Sequence, residues 1–552
     1  MGRSIRLRPW QRRALDLYLT SDRTDFLAVA TPGAGKTTFA LTAARVVLPQ
    51  VGGRLVVVAP TRHLKQQWAE AATRFDLDLE SDWSPADGLP ADVHGVVTTY
   101  QQVGANPEPF AKLSRDGVVV LDEIHHAGDE RSWGTGVQLA FARAARRLAL
   151  SGTPFRSDLA AIPFVRYEHL QAVPDVEYGY GDALAEGRVV RPVYFPRFGG
   201  HMEWVAPDGT EVSASFEDPL SRTLANQRLR AALTLDGEWL PAVLGEAHRQ
   251  LLRIRERQPD AGGLVIAMDQ QHAAGIAELL RRRFGVVPAV AVSDEPDASA
   301  RISRFAAGDA PWIVAVRMVS EGVDIPRLRV GVFATTTTTE LFFRQAVGRI
   351  VRWTPGSGRQ RAYLFLPDDA RLRHWGNEIA EVRRHRLWRS AAEEEDAPEA
   401  EPDDAGPGER NGGQLSLFTV LSATPSGTAN GLDVLADTEE PEDEPPSAGE
   451  ESDDEQLVLD LATLPPTGIR AWGSTRDRRR QRTELRERNS ALARELVGLT
   501  GRTHAQVNAE LNRRAGGVRV PQATLEQLQR RARAAEEWLQ GERRRSRLAR
   551  FT

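Results

Sequence analysis

The sequence predicts an α/β protein of two tandem, doubly wound parallel-sheet lobes, followed by a disordered acidic linker and a small C-terminal helical bundle. Three observations predict it. Short β-branched apolar runs alternate with helical patterns over residues 1–158 and again over 236–390. Acid is crowded into one later stretch, with 21 Asp and Glu between Glu393 and Glu455 against a single Arg. Arginine is crowded into the end, with 20 from Ser474 onward against nine acids.

In the first lobe, 1–158, the apolar runs are Phe26–Ala30, Leu55–Ala59, Gly95–Thr99, Val118–Leu121 and Leu148–Ser151. Continuous apolar runs bounded by turns suit strands buried on both faces of a parallel sheet. Strand–helix–strand repetition then implies right-handed crossovers and helices on both faces. Residues 159–235 are less regular and read as a connector. The second lobe, 236–390, repeats the pattern with Leu264–Met268, Trp312–Val316, Val330–Ala334 and Tyr363–Leu366. Residues 391–473 are rich in Glu, Asp, Pro, Gly and Ser, a composition that buries too little apolar area to offset ordering entropy. Residues 474–552 turn helical. Leu485, Leu492, Leu496 and Leu499 share a face, and Thr503 with Gln506 and Thr524 with Gln527 have capping-box spacing.

With 552 residues the chain is too long for one core, given about 100–200 residues per domain. Cysteine is absent, which excludes disulfides, thiolate catalysis and cysteine-ligated metals. No run approaches the roughly 18 apolar residues of a membrane span, and the basic start lacks the apolar core of a secretion signal; a cytoplasmic location is expected. The net charge of −5 hides the segregation, so it does not argue against a nucleic-acid partner.

The segment Ala30-Thr31-Pro32-Gly33-Ala34-Gly35-Lys36-Thr37 follows a strand and precedes a helical run beginning at Thr38. Glycines there let successive backbone N–H groups cradle phosphate oxygens, and the helix presents its positive end to the anion. Lys36 is expected to reach the outer phosphates and Thr37 to bind Mg²⁺. About 85 residues on, Val118–Leu121 ends in Asp122 and Glu123. A carboxylate at a strand tip beside a phosphate loop suits Mg²⁺ coordination, and its neighbour suits polarising water.

These segments resemble superfamily 2 helicases and translocases of the DEAD/DEAH kind over about residues 1–370, with the motifs in the family's order. Arg8-Pro9-Trp10-Gln11 resembles the adenine-reading segment, Ala59-Pro60-Thr61-Arg62 and Thr98-Thr99-Tyr100 the strand-holding motifs, and Asp122-Glu123-Ile124-His125 the DEAH box with Ile for Ala. Ser151-Gly152-Thr153-Pro154 resembles the motif coupling hydrolysis to lobe movement. In the second lobe, Ser320–Pro326 and Gln345–Arg352 resemble the family's last two motifs. The resemblance implies RecA-like lobes and an ATP- and Mg²⁺-dependent motor acting on DNA, closest in layout to repair and recombination members that move 3′ to 5′. It implies that Gln11, Gly33, Ala34, Gly35, Lys36, Thr37, Thr38, Gly322 and Asp324 bind nucleotide. Lys36, Asp122, Glu123, Arg349 and Arg352 would be catalytic, the last two as arginine fingers, and Thr37 and Asp122 would hold the metal.

Within the acidic stretch, Gln414-Leu415-Ser416-Leu417-Phe418 and Gln456-Leu457-Val458-Leu459-Asp460-Leu461 resemble peptides that dock on bacterial sliding clamps, with Gln414, Leu415, Leu417 and Phe418 and then Gln456, Leu457, Leu459 and Leu461 as contacts. Docking back on the chain's own lobes is the competing reading. The clusters Arg476–Arg482 and Arg543–Arg547 suggest an added grip on phosphates, against a simple solvated helix face. Two other functions stay open: a non-motor nucleotide switch that recruits partners, and the motor subunit of a restriction or phage-defence system.

Overall fold

The computed structural model describes residues 4–128, 131–152, 161–169, 171–292, 298–316, 325–355, 358, 360–392, 419–425, 457–465 and 475–548. The chain forms two compact units. One comprises residues 1–29, 35–177 and 452–552, the other 30–34 and 178–451.

The first unit opens with β1 (Ser4–Leu7) and α1 (Pro9–Thr20), then β2 (Asp25–Ala30) and α2 (Lys36–Val47). There follow β3 (Leu55–Ala59), α3 (Arg62–Ala72), β4 (Leu79–Glu80), β5 (Gly95–Thr99), α4 (Tyr100–Ala105), α5 (Glu108–Leu113), β6 (Val118–Leu121), α6 (Arg131–Phe141) and β7 (Arg146–Ser151). A small hairpin, β8 (Tyr167–Glu168) and β9 (Gln171–Ala172), leads to β10 (Val176–Tyr178). The sheet order is β10-β2-β7-β6-β3-β5-β4, and the pairs from β2 through β4 are parallel. Every residue of β3, β5 and β6 is buried, as a sheet covered on both faces requires.

The second unit contributes α7 (Tyr180–Ala185), β11 (Val193–Tyr194), β12 (Arg197–Phe198), the hairpin β13 (His201–Val205) and β14 (Glu211–Ser215), α8 (Arg222–Ala232) and α9 (Trp239–Arg255). It continues with β15 (Gly262–Ala267), α10 (Gln270–Phe284), β16 (Ala289–Ala291), α11 (Ala298–Ala307), β17 (Trp312–Val316), β18 (Leu328–Ala334), α12 (Glu340–Ile350), β19 (Ala362–Pro367) and α13 (Ala370–Ala392). Its parallel sheet runs β11-β19-β18-β15-β17-β16, with β12 also on β19. Trp239, Leu244, Val265, Ile276, Val314 and Phe365 lie in its core. The two sheets confirm the expected doubly wound lobes.

The linker corrects one expectation. Inside the stretch read as disordered, β20 (Thr419–Thr424) pairs with β13 as the third strand of the β14-β13-β20 sheet. Further on, β21 (Leu457–Asp460) pairs antiparallel with β1, Leu459 opposite Ile5. The peptide Gln414–Phe418 and Gln456 lie outside the described residues. Leu457 and Leu459 stand in β21, and Leu461 just after it is buried. The second peptide is therefore annexed as a strand by the chain's own N-terminus, because backbone N–H and C=O groups of an edge find partners there.

The bundle consists of α14 (Thr475–Thr500), α15 (His504–Ala515) and α16 (Leu525–Leu548). Both capping boxes form: Thr503 and Gln506 exchange side-chain-to-backbone bonds, as do Thr524 and Gln527. The seam differs from the leucine face. Leu496, Ala493, Val507, Leu511 and Leu539 are buried, whereas Leu499 is 41% exposed. Buried Asn489 and half-buried Asn508 and Asn512 surround Arg531 instead, accepting its N–H groups at 3.0, 2.6 and 3.1 Å.

The first arginine cluster does not stand free for phosphate. Arg482 is buried and pairs with Asp78 and Asp92 at 3.2 and 3.0 Å. Arg486 pairs with Glu80, Arg476 with Glu70 and Arg480 with Glu484. Arg479 donates to Ser81 and buried Arg478 to Thr475. The physical reason is periodicity. Asp78 just before and Glu80 on the short edge strand β4, and Asp92 after it, face α14, where Arg478, Arg482 and Arg486 fall four apart on one helix face.

Candidate nucleotide site

The phosphate loop leaves β2 and enters α2 through two glycines in the left-handed region, Gly33 at φ +86° and Gly35 at φ +90°. A side chain would be strained at either position. At Gly35 it would also collide, since a Cβ there would lie 2.5 Å from Gln11 Nε2. Gln11 is buried on the first turn of α1. Its Nε2 donates to the Gly35 carbonyl at 2.9 Å and its Oε1 accepts from the Arg8 N–H at 2.9 Å. Gln11 thus braces the loop as well as capping its own helix. Lys36 opens α2, followed by Thr37 and Thr38 in its first turn.

Asp122 and Glu123 follow β6. Strand order decides what they meet, because β7 lies between β2 and β6. The end of β7 therefore brings Gly152 beside both Lys36 and Glu123, and Ser151 beside His125. Lys36 Nζ is 3.3 Å from Glu123 Oε1. The Gly152 N–H donates to Glu123 Oε2 at 3.0 Å. His125 Nδ1 lies 3.6 Å from Glu123 Oε2 and 3.4 Å from Ser151 Oγ. A Cβ on Gly152 would sit 3.2 Å from Lys36 Nζ and 3.4 Å from Glu123 Oε1, so the glycine keeps the pair accessible. Glu123 itself adopts φ +46°, a strained value for a non-glycine residue that turns its carboxyl toward Lys36.

The two carboxyls are pushed apart. Burial raises Asp122, and the adjacent Glu123 charge raises it further, against the opposing Trp68 hydrogen bond. Burial would raise Glu123 too, but Lys36, His125 and the Gly152 N–H outweigh it and hold it low. Glu123 is thus held ionised beside a cation. For a metal, Thr37 and Asp122 offer one hydroxyl and one carboxylate. Among the described residues no cluster of three or more His, Asp or Glu could hold an ion. That sparse set suits Mg²⁺, which keeps water and takes phosphate oxygens as ligands.

In the second unit, Arg349 ends α12 and Arg352 lies just beyond, in an isolated bridge with Val190. Sequence reasoning missed the residue that fixes this segment. Arg191, fully buried in the connector, donates to the Arg352 carbonyl, to Pro326 O at 2.8 Å and to Thr354 Oγ1 at 3.0 Å. No local pattern marks such an arginine, because its acceptors come from distant segments. Trp68, which donates to Asp122, was missed for the same reason. Gly322, Asp324, Thr153 and Pro154 lie outside the described residues.

Two domain matches place this chain in helicase superfamily 2. Residues 4–156 match the type III restriction enzyme res subunit model, and residues 246–354 match the helicase conserved C-terminal domain. The chain is 40% identical over 563 residues to the uncharacterized protein Rv2917 of Mycobacterium tuberculosis (strain ATCC 25618 / H37Rv), covering 95% of this chain and 91% of that protein. It belongs to the same family as Rv2917. More distant similarity links it to the DNA 3′-5′ translocase XPB2 of Sulfurisphaera tokodaii, 24% identical over 369 residues, covering 63% of this chain and 79% of that one. The EcoKI endonuclease subunit of the Escherichia coli K12 type I restriction enzyme is 23% identical over 398 residues, covering 64% and 33%.

Proposed function

We propose that the chain is an ATP-driven motor that moves on or remodels DNA. The observation that carries this is the meeting of Lys36, Glu123 and Gly152 beside the phosphate loop, with Asp122 adjacent. Loop N–H groups and Lys36 would hold the phosphates. Thr37 and Asp122 would hold Mg²⁺, which supplies Lewis-acid stabilisation of phosphate charge when bound. Glu123, kept ionised, accepts a hydrogen bond from the attacking water and orients it. We assign Arg349 and Arg352 the neutralisation of charge on the transferring phosphoryl group. Gln11, held at the loop, is assigned the base contact, and Gly322 and Asp324 further nucleotide contacts.

DNA as the partner is supported by the likeness to a DNA 3′-5′ translocase, and direction is assigned on the same ground. A role in repair with clamp docking rests on the peptide Gln414–Phe418, since β1 already pairs with the second peptide. Loss of clamp affinity on deleting 414–418 would support it. A second reading, the motor subunit of a restriction system, is favoured by the match over residues 4–156. DNA cleavage on adding a nuclease partner would support that instead.

Turnover of ATP with and without DNA tests the main reading. Lys36→Ala and Glu123→Gln should each reduce DNA-stimulated hydrolysis by at least about 100-fold. Full activity in purified Lys36→Ala protein would sink the assignment.

A further inference from the structure

The indole of Trp68 is buried on α3, and its Nε1–H donates to Asp122 Oδ2 at 2.8 Å. Tyr100, the first residue of α4 and also buried, donates its hydroxyl to the Asp122 carbonyl at 2.8 Å. The acidic residue is therefore gripped at side chain and backbone by two aromatic donors from two different helices. Both helices begin at loops that the sequence marks as strand-holding. Thr61 caps α3, its hydroxyl accepting from the Leu64 N–H. Thr99 caps α4 in a capping box with Gln102. The two helices are also tied to each other. Gln102 Oε1 accepts from Lys65 Nζ of α3 at 3.1 Å, from Thr98 Oγ1 at 3.2 Å and from the Thr99 N–H at 3.3 Å.

We propose that Trp68 and Tyr100 are positioning residues that connect the Thr61–Arg62 and Thr98–Thr99 loops to Asp122, so that nucleic acid held at those loops sets the carboxyl geometry of the nucleotide site. The inference rests on the motor reading above. Its physical basis is that an outer-shell donor fixes the plane of a metal-binding carboxylate, and that the donor here is rigidly part of the helix that follows a binding loop. A buried indole N–H requires an acceptor, and for Trp68 that acceptor is the Asp122 carboxyl rather than a backbone carbonyl. That carboxyl belongs to the residue next to Glu123, the partner of Lys36.

Trp68→Phe keeps one aromatic ring but removes the N–H together with the five-membered part of the indole, and Tyr100→Phe removes only the hydroxyl. Two measurements on the full chain avoid relying on turnover. The first is the Mg²⁺ concentration for half-maximal binding of a fluorescent ATP analogue. The second is the ratio of affinities for a single-stranded DNA oligonucleotide with and without that nucleotide. Trp68→Phe should raise the Mg²⁺ midpoint about ten-fold or more and bring the affinity ratio toward one. Tyr100→Phe should move both in the same direction by less. If Trp68→Phe fails to fold, Tyr100→Phe alone decides. Folded variants with both quantities at wild-type values would overturn the inference while leaving the motor reading intact. Absence of nucleotide binding by the unsubstituted chain would overturn both.

Discussion

Glu123 occupies the left-handed region at φ +46°, and the strain is held by partners on three sides: Lys36, His125 and Gly152. At this scale small changes should act on chemistry more than on stability. Gly152→Ala places a methyl 3.2 Å from Lys36 Nζ and 3.4 Å from Glu123 Oε1. It should lower kcat for ATP while the melting temperature stays near that of the wild type, read by turnover and calorimetry together. Gly35→Ala should lower both kcat and the melting temperature, since a left-handed alanine costs about 1 kcal/mol and its Cβ would strike Gln11. The placement of Lys36 at the start of α2 and of Asp122 and Glu123 after β6 was legible in the sequence because glycines, GKT spacing and a strand ending in two acids are local signals. Trp68, Arg191 and Gly152's packing role were not, because each acts on residues brought near only by strand order.

At the scale of elements, α14 against the acids that flank and end β4 (Asp78, Glu80 and Asp92) is the interface with the clearest consequences. Arg482 is buried between two carboxylates, so Arg482→Ala leaves Asp78 and Asp92 without it and should cost about 3–5 kcal/mol. Arg480 pairs with Glu484 on an exposed face, and Arg480→Ala should cost far less. Urea unfolding of the two variants checks the contrast. Equal losses would contradict a buried interface. His94 lies behind the same acids, its Nδ1 accepting the Asp78 N–H at 3.0 Å. Burial, aided by Arg478, Arg45, Arg54 and Arg482, lowers its pKa from 6.5 to about 3. The unfolded ring takes up a proton below 6.5 that the folded ring refuses. Its contribution is thus complete above that pH and declines by about 1.4 kcal/mol per pH unit as pH falls toward 3. His94→Gln should flatten the fall in stability between pH 7 and pH 4.5 relative to wild type.

For the whole molecule, the tail does not simply trail from the second lobe. Thr419–Thr424 completes a sheet within one unit, while residues from Leu457 onward supply a strand and a helical bundle to the other. A chain ending at residue 418 loses both contributions. It should melt at a lower temperature than the full chain and become sensitive to protease near β13 and β4; unchanged melting would show that the tail adds little. Among the described residues, no helix is long and apolar enough to cross a membrane.

Strand positions, helix caps and the phosphate loop were determined by the sequence itself, since apolar runs, capping boxes and glycine spacing express short-range sterics and hydrogen bonding that any fold must respect. Leu55–Ala59, Gly95–Thr99, Val118–Leu121 and Trp312–Val316 form over the residues their composition predicts. Only tertiary structure decided that an acidic linker peptide would become β21 and that a basic helix would spend its arginines on β4. Those outcomes depend on which free edge and which opposite charges the folded lobe presents, and residues roughly 400 apart in sequence meet there through burial and pairing rather than local preference.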